Sequence, residues 1–396
     1  MKMGLFHIEH CSHHAMIYLG RKQLFRLPER VCFDRLLCEE NRRLAAQQLS
    51  LHRNGILSSG NGAVLLATNN LQKIGGVERR LAALCQAVKN SGHQVYILTE
   101  PGCRHLDLPD AYPLELNFNA SNFGELLLQF IRHFDIKVVE FQCKNVSFLR
   151  YLDLKQLKQH AVCGCTIHFC GKLPFGKIRE LDYRIFVSER MKLWYRQKLD
   201  PALPGEIFYN GVATLPESWH FNGQRRALYI SRIGNASVPK IRQFIEYCQA
   251  HGLDFHIAGD RRDQKIVQDI RKMLSSQYHF PETFFTGAVE TPSFLAEHAG
   301  EYLFAAGVGQ VALECAASGM PVLILSDHSL EDATFITPEN YEFFRKRNFT
   351  INRQPDAVRS LALPEDSSCS MRQEILRDRS MENIAAGYTA FIEKFL

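Results

Sequence analysis

The chain has 396 residues, 46% of them hydrophobic and 22% charged, with a net charge of +5. That balance excludes a disordered or low-complexity chain and describes a folded globular protein. No apolar run approaches the roughly 20 residues that cross a bilayer. The opening MKMGLFHIEHCSHH has no apolar signal core, so a cytoplasmic protein is expected.

The length exceeds one ordinary core, so two domains are expected. The twelve cysteines are scattered without a CxxC pair, which points to reduced thiols rather than a disulfide framework or a structural zinc site. Residues 1–215 carry 28 basic and 19 acidic side chains, a net +9, and the remainder 19 and 23, a net −4. A basic half invites an anionic partner. Its excess is too dilute for a nucleic-acid stripe and fits an anionic membrane surface or a phosphorylated ligand.

Residues 1–60 read as an N-terminal extension. HAMIYLGRKQLFRLPE alternates on either side of Gly20 and Arg21, the pattern of a β-hairpin. RVCFDRLLCEENRRLAAQQLSLHRN has helical spacing, with Leu36, Leu37, Leu44 and Leu49 as its expected apolar face. His7, His10, Cys11, His13 and His14 cluster without a separated second ligand pair, so metal binding is not expected there.

From residue 62 the alternation is regular. GAVLLAT reads as a strand, NNLQKIGGVERR as a loop with Gly75 and Gly76, VERRLAALCQAVKNSG as a helix, and HQVYILT as a strand. This is a βαβ unit of a parallel, doubly wound sheet. The glycine pair does not match GxGxxG, which argues against a nicotinamide site. Helix FGELLLQFIRHF, strand IKVVEFQ, helix YLDLKQLKQH and strands AVCGCTIHF and YRIFVS follow. ERMKLWYRQKL mixes basic and aromatic residues at helical spacing, either as a solvated helix or as one that lies on anionic headgroups.

Residues 200–226 hold three prolines and three glycines in a polar setting, the composition of an interdomain linker. A second α/β series opens at ALYISRI and leads to EYLFAAGVGQVALECAASGMPVLILS, residues 301–326. There Gly307 and Gly309 join a strand to a helix, and Gly319 and Pro321 end that helix. Backbone N–H groups at such a turn suit an anion such as a nucleotide phosphate. The expected domains are residues 61–215 and 216–375, with a C-terminal helix over 376–396 placed to pack back on the first.

The motif order resembles the retaining glycosyltransferases of family 4. IGGVERRLAALCQAVKNSGHQVYILT is similar to that family's GGxExxxxxLAxxLxxxGHxVxxxT, YNGVAT to IPNGVD, ALYISRI to LFVGRL, FHIAGD to LxIxGDG and TGAV to FxGxV. AGVGQVALECAASGMPVLI is similar to EGFGLVxLEAMAxGxPVV. The likeness implies a GT-B fold, two Rossmann-like domains facing a cleft, here with the extra N-terminal segment. It also implies a nucleotide-diphosphate sugar as co-substrate, no further cofactor and no metal.

By the same resemblance Arg232 and Lys240 grip the donor diphosphate, although GNASVP lengthens the spacing before Lys240. Glu314 accepts from the ribose hydroxyls, and His168 faces the donor sugar. Gly307, Val308 and Gly309 form the donor loop, and Gly75 and Gly76 lie near the donor phosphates. The chain departs from the family at Ala306, where a first glutamate is usual, and at Ala213, where an aspartate is.

The implied reaction moves a sugar to a hydroxyl of a glycan or lipid-linked acceptor with retained configuration, as in polysaccharide or lipopolysaccharide assembly. The implied place is the cytoplasmic face of a membrane. A catalytically impaired scaffold subunit and a sugar-nucleotide epimerase remain alternatives.

Overall fold

The computed structural model describes residues 6–11, 14–19, 22–28, 31–53, 62–68, 76–102, 108, 111–143, 147–168, 175–198, 204–214, 219, 225–259, 264–277, 285–287, 289–326, 329–350, 361–362 and 368–396. By contact the chain divides into two compact units. The first comprises Met1–Ile185, Leu199–Glu206 and Thr389–Leu396, and the second Phe186–Lys198 and Ile207–Tyr388.

The first unit opens with an antiparallel sheet of β1 (Phe6–Cys11), β2 (His14–Leu19) and β3 (Lys22–Pro28). β2 and β3 pair antiparallel on either side of Gly20 and Arg21, as a hairpin requires. The side chains of the His7–His14 tract lie outside the described residues. α1 (Val31–Arg53) follows. Of its expected face Leu44 is buried, Leu37 and Leu49 are half-buried and only Leu36 is exposed, while Cys38, Asn41 and Ala45 are buried as well. Polar anchors turn the helix. Ser121 donates to Asp34 through its backbone N–H and its hydroxyl, and Asn41 bonds Asn117 and Asn122.

The main sheet of this unit holds β4 (Ala63–Ala67), β5 (Val95–Thr99), β6 (Tyr112–Glu115), β7 (Ile136–Cys143), β8 (Val162–Ile167), β9 (Tyr183–Phe186) and β10 (Glu206–Ile207). Its order is β10-β9-β8-β7-β4-β5-β6. Connections run through α2 (Gly76–Asn90), α3 (Phe123–His133), α4 (Leu154–Leu157) and α5 (Phe175–Glu180), while α6 (Glu189–Lys198), between β9 and β10 in sequence, belongs to the second unit. β4 and β5 are buried throughout, which is why they read as unbroken apolar runs. β6 was not legible in the sequence. It is a half-exposed edge strand, YPLE, whose proline and glutamate an edge tolerates.

The second unit's sheet holds β11 (Arg226–Ile230), β12 (Asp254–Ala258), β13 (Phe285–Gly287), β14 (Phe304–Gly307), β15 (Val322–Ile324) and β16 (Thr334–Phe335). Its order is β13-β12-β11-β14-β15-β16, parallel except for β16. The helices are α7 (Val238–Ala250), α8 (Gln264–Gln277), α9 (Thr291–His298), α10 (Gln310–Ala317), α11 (Pro338–Lys346), α12 (Ser368–Arg379) and α13 (Met381–Ile392). Apolar clusters cover both faces of the sheet. One packs Leu228, Ile230 and Ala305 with α10, the other Tyr229, Phe304 and Ala306 with α7.

The junction expected at residue 215 lies earlier in this division, because the linker is tied into the second unit. Val212 N–H donates to Arg379 O and Met381 N–H to Val212 O, each at 2.8 Å. The Arg379 guanidinium, fully buried, lies 3.6 Å from the centroid of the Tyr209 ring.

Both main sheets step outward in one direction and then restart beside their first strand. That places a switch point between β4 and β7 in the first unit, and between β11 and β14 in the second. Ligands of open α/β sheets bind outside the carboxyl ends of the strands at such points.

Candidate functional site

In the second unit the switch point is built from two connections. β11 ends at Ile230 and leads through Arg232 to α7, while β14 ends at Gly307 and leads through Val308 and Gly309 to α10. Parallel pairing of Tyr229 with Ala306 brings both carboxyl ends together. The approach is close. A Cβ at Gly307 would stand 3.1 Å from Ile230 O, so a side chain there would crowd the neighbouring strand.

Arg232 is exposed just past β11. The residues that lengthen the spacing to Lys240 form a single 3-10 turn, Asn235–Ser237, and the first two positions of α7. Ser237 closes the turn by accepting from Gly234 N–H at 2.9 Å and donating to Gly234 O at 2.7 Å. Lys240 thus falls in the first turn of α7, and it is buried, 8% exposed. Both cations belong to one strand–turn–helix connection, with Arg232 open to solvent and Lys240 held inside.

Glu314 lies in the second turn of α10 and is 2% exposed. Ionised carboxylates are rarely buried without polar partners. Gln310, one turn earlier, donates from Nε2 to Glu314 Oε1 at 3.1 Å and to Gly211 O at 2.9 Å. That bridge between the linker and Glu314 was missed from sequence, although the i, i+4 spacing on one helix was its available signal. Burial, with Glu314 beside it, pushes the Cys315 thiol well above its ordinary range, which makes it an inert core residue. Ala306 is fully buried in the apolar cluster with Tyr229, Phe304 and Leu323. At the position of the family's first glutamate, therefore, this chain presents a methyl group to a hydrophobic environment.

Gly309 is the N-cap of α10 with φ +64°, a conformation that favours glycine, and a Cβ added there would meet nothing within 4 Å. The demand is conformational, not steric. The resemblance has its N–H facing the donor, but here that N–H donates to Phe349 O at 2.8 Å. Phe349 and Asn348 both hold left-handed φ values, 56° and 53°. Such a conformation is strained for a phenylalanine and persists only where its surroundings impose it. The Phe349 side chain is fully buried, and its carbonyl holds the glycine turn in place.

Arg379 anchors the same region from behind. Its Nη2 donates to Arg345 O at 2.8 Å, and burial pushes its pKa down to about 10. Burial also pushes the Tyr209 phenol up to about 12, helped by the bond it donates to Glu189 at 3.0 Å.

The remaining candidates lie in the first unit. Gly75 lies outside the described residues, and Gly76 is the first residue of α2. The first turn of that helix also holds a buried Glu78, and Arg80 follows, fully buried. His168 follows the carboxyl end of β8 and is half-buried, with Nε2 2.8 Å from Gln142 Oε1. Gln142 Nε2 bonds Glu140, which also accepts from Thr166 Oγ1 at 2.7 Å and Tyr183 OH at 3.0 Å. Glu140 and Gln142 are two apart in a strand and share one face, a buried polar pair beside Val138, Val139 and Phe141. Arg232, Lys240, the glycine loop and Glu314 thus belong to the second unit, and His168 to the first. Among the described residues no group of three or more His, Cys, Asp or Glu is placed to hold a metal ion, and no helix is long and apolar enough to cross a membrane.

No protein-family model matches the chain, and no curated protein matches it in sequence. Solved structures do match. A glycosyltransferase from Rickettsia africae ESF-5 has a TM-score of 0.65 at 14% identity, over 85% of this chain and 99% of that one. The catalytic domain of starch synthase IV from Arabidopsis thaliana, bound to ADP and acarbose, has a TM-score of 0.58 at 13% identity, over 85% and 99%. The apo form of the lipopolysaccharide outer core galactosyltransferase WaaB has a TM-score of 0.53 at 14% identity, over 84% and 95%. The fold is that of the GT-B glycosyltransferases. At these identities the likeness is one of fold, and the chemistry has to be argued from the residues.

Proposed function

We propose that this protein is a retaining glycosyltransferase akin to family 4, which moves a sugar from a nucleotide-diphosphate donor to a hydroxyl of a glycan or lipid-linked acceptor. The observation that carries the reading is the switch point of the second unit. There an exposed Arg232, a glycine turn and a buried Glu314 stand on the two connections that flank one crevice position.

Arg232 and Lys240 neutralise the diphosphate as its charge grows on departure, the role that a positioned cation performs best. Glu314 accepts from the ribose hydroxyls, its carboxylate steadied by Gln310. In the transfer step the bond from the anomeric carbon to the diphosphate oxygen breaks. The bond to the acceptor oxygen forms on the same face, and the acceptor's proton passes to the departing phosphate oxygen. The cations do the work a divalent metal does elsewhere, so no metal is required.

α6 gives the protein a means of working at an anionic membrane surface. Leu193 is 58% exposed there, on the same helix as Arg190, Lys192, Arg196 and Lys198, while Trp194 is half-buried. An exposed apolar side chain among cations suits headgroup contact.

Thermal unfolding with a panel of UDP-, GDP- and ADP-sugars tests the central claim. One donor should raise the midpoint, and free sugar or a glycosylated acceptor should then appear with EDTA present. A panel without any stabilising donor refutes the reading, and activity lost to EDTA and restored by Mn²⁺ refutes its metal-free mechanism.

A further inference from the structure

The first unit holds a carboxyl group where a parallel sheet ordinarily has none. Glu140 lies in β7 with no exposed surface, and Gln142 beside it is 2% exposed. Burying a carboxylate costs several kcal/mol unless hydrogen bonds replace its water. Three neutral donors converge on it, from Thr166 on β8, Tyr183 on β9 and Gln142 on its own strand. The tyrosine is placed with care. Its ring lies over Gly164, the one residue type that leaves it room, and stacks on Phe395 at 5.2 Å and 10° with Phe391 edge-on.

An ionised carboxylate only accepts hydrogen bonds. Gln142 turns its NH2 group toward Glu140 and its amide oxygen toward His168. That oxygen also only accepts, and it stands 2.8 Å from His168 Nε2. The proton of a neutral imidazole must then sit on Nε2, which makes Nδ1 the lone-pair atom.

We propose that Glu140 is ionised and, with Gln142, forms a buried positioning relay that locks His168 in its Nε2–H tautomer and leaves Nδ1 as the acceptor atom of the ring. Neither residue touches substrate in this scheme; each acts through the orientation of the next. The effect on turnover rests on the transferase reading, whereas the tautomer does not.

The test is long-range ¹H–¹⁵N correlation on the full chain labelled with ¹⁵N-histidine, with His168 assigned by the signal lost in His168→Gln. The wild type should show a single Nε2–H tautomer. Glu140→Gln offers Gln142 a donor as well as an acceptor, so both amide orientations become possible and the spectrum should become a mixture. Gln142→Met removes the acceptor and should do the same. Its kcat should fall by roughly tenfold to a hundredfold, with a smaller change in KM, as expected for a misoriented group. A wild-type spectrum of the Nδ1–H form or of an averaged mixture overturns the proposal without any variant. A pure Nε2–H spectrum in both variants also overturns it. If the nucleotide-sugar panel fails while the tautomer pattern holds, only the transferase reading falls.

Discussion

Gly164→Ala is a severe test of the packing around that relay. A Cβ at Gly164 would stand 2.1 to 2.4 Å from Cζ, Cε2 and Cε1 of Tyr183. Ordinary carbon contacts are about 3.5–4.0 Å, so the ring must retreat by more than 1 Å. It has little room, because Phe395 stacks on it and Phe391 meets it edge-on. Overpacking of this kind costs about 1–3 kcal/mol. Retreat also lengthens the 3.0 Å bond from Tyr183 OH to Glu140. A hydrogen bond to a charged group contributes about 1.5–3 kcal/mol. Taking about 3 kcal/mol in all, and roughly 2–4 °C per kcal/mol for a unit of this size, the unfolding midpoint should fall by about 6–12 °C. Circular dichroism on heating reads this directly. Tyr183→Ala alone should cost about 3–5 kcal/mol. The double variant Gly164→Ala/Tyr183→Ala should cost no more than that, because the new methyl enters the vacated space and the two effects do not add. A Gly164→Ala midpoint within about 1 °C of the wild type, or simple additivity in the double variant, refutes the packing argument.

Three further outcomes follow from the geometry. Glu314→Ala and Arg232→Ala should each weaken donor binding or turnover by roughly tenfold or more, the loss expected when a charged partner is removed; kinetics unchanged in both variants sink the assigned site. Asp34 is held below the usual carboxylate range chiefly by the Ser121 hydroxyl. Its folded pKa is depressed, so its contribution is complete above the ordinary value and disappears as pH falls through the folded one. Asp34→Asn should flatten the acid side of the stability profile, and an unaltered profile counts against that anchor. Sedimentation with vesicles should capture the protein on anionic lipid more than on neutral lipid, and Leu193→Glu should reduce capture; equal recovery on both lipids argues against α6 as a membrane contact.

The first helix and the 301–326 stretch were legible because their signals are local. A strand buried on both faces is mostly apolar, as β4 and β5 are, and a helix covering it repeats about every 3.6 residues. Gly309 was legible for the same reason, since a left-handed N-cap depends on one residue's own backbone. Arg232, Lys240 and Glu314 were named from motif order. What each one does locally was not. The six residues before Lys240 give no sign that they fold into one turn and a helix start, because that depends on where α7 packs.

Sheet order decided the rest. β11 and β14 are far apart in sequence, and only their pairing brings Arg232 and the glycine turn to one switch point. The carbonyl that takes the Gly309 N–H comes from Phe349, forty residues on, and no property of either residue announces it. In the first unit, IKVVEFQ read only as a strand, and nothing local to it shows what Glu140 and Gln142 bond. The partners are Thr166, Tyr183 and His168, on or just past strands that the fold brings near β7. Propensity and period are properties of a few neighbouring residues, and the sequence by itself determined those. Which buried polar groups satisfy one another is a property of strand order and register, and only the tertiary structure decides it.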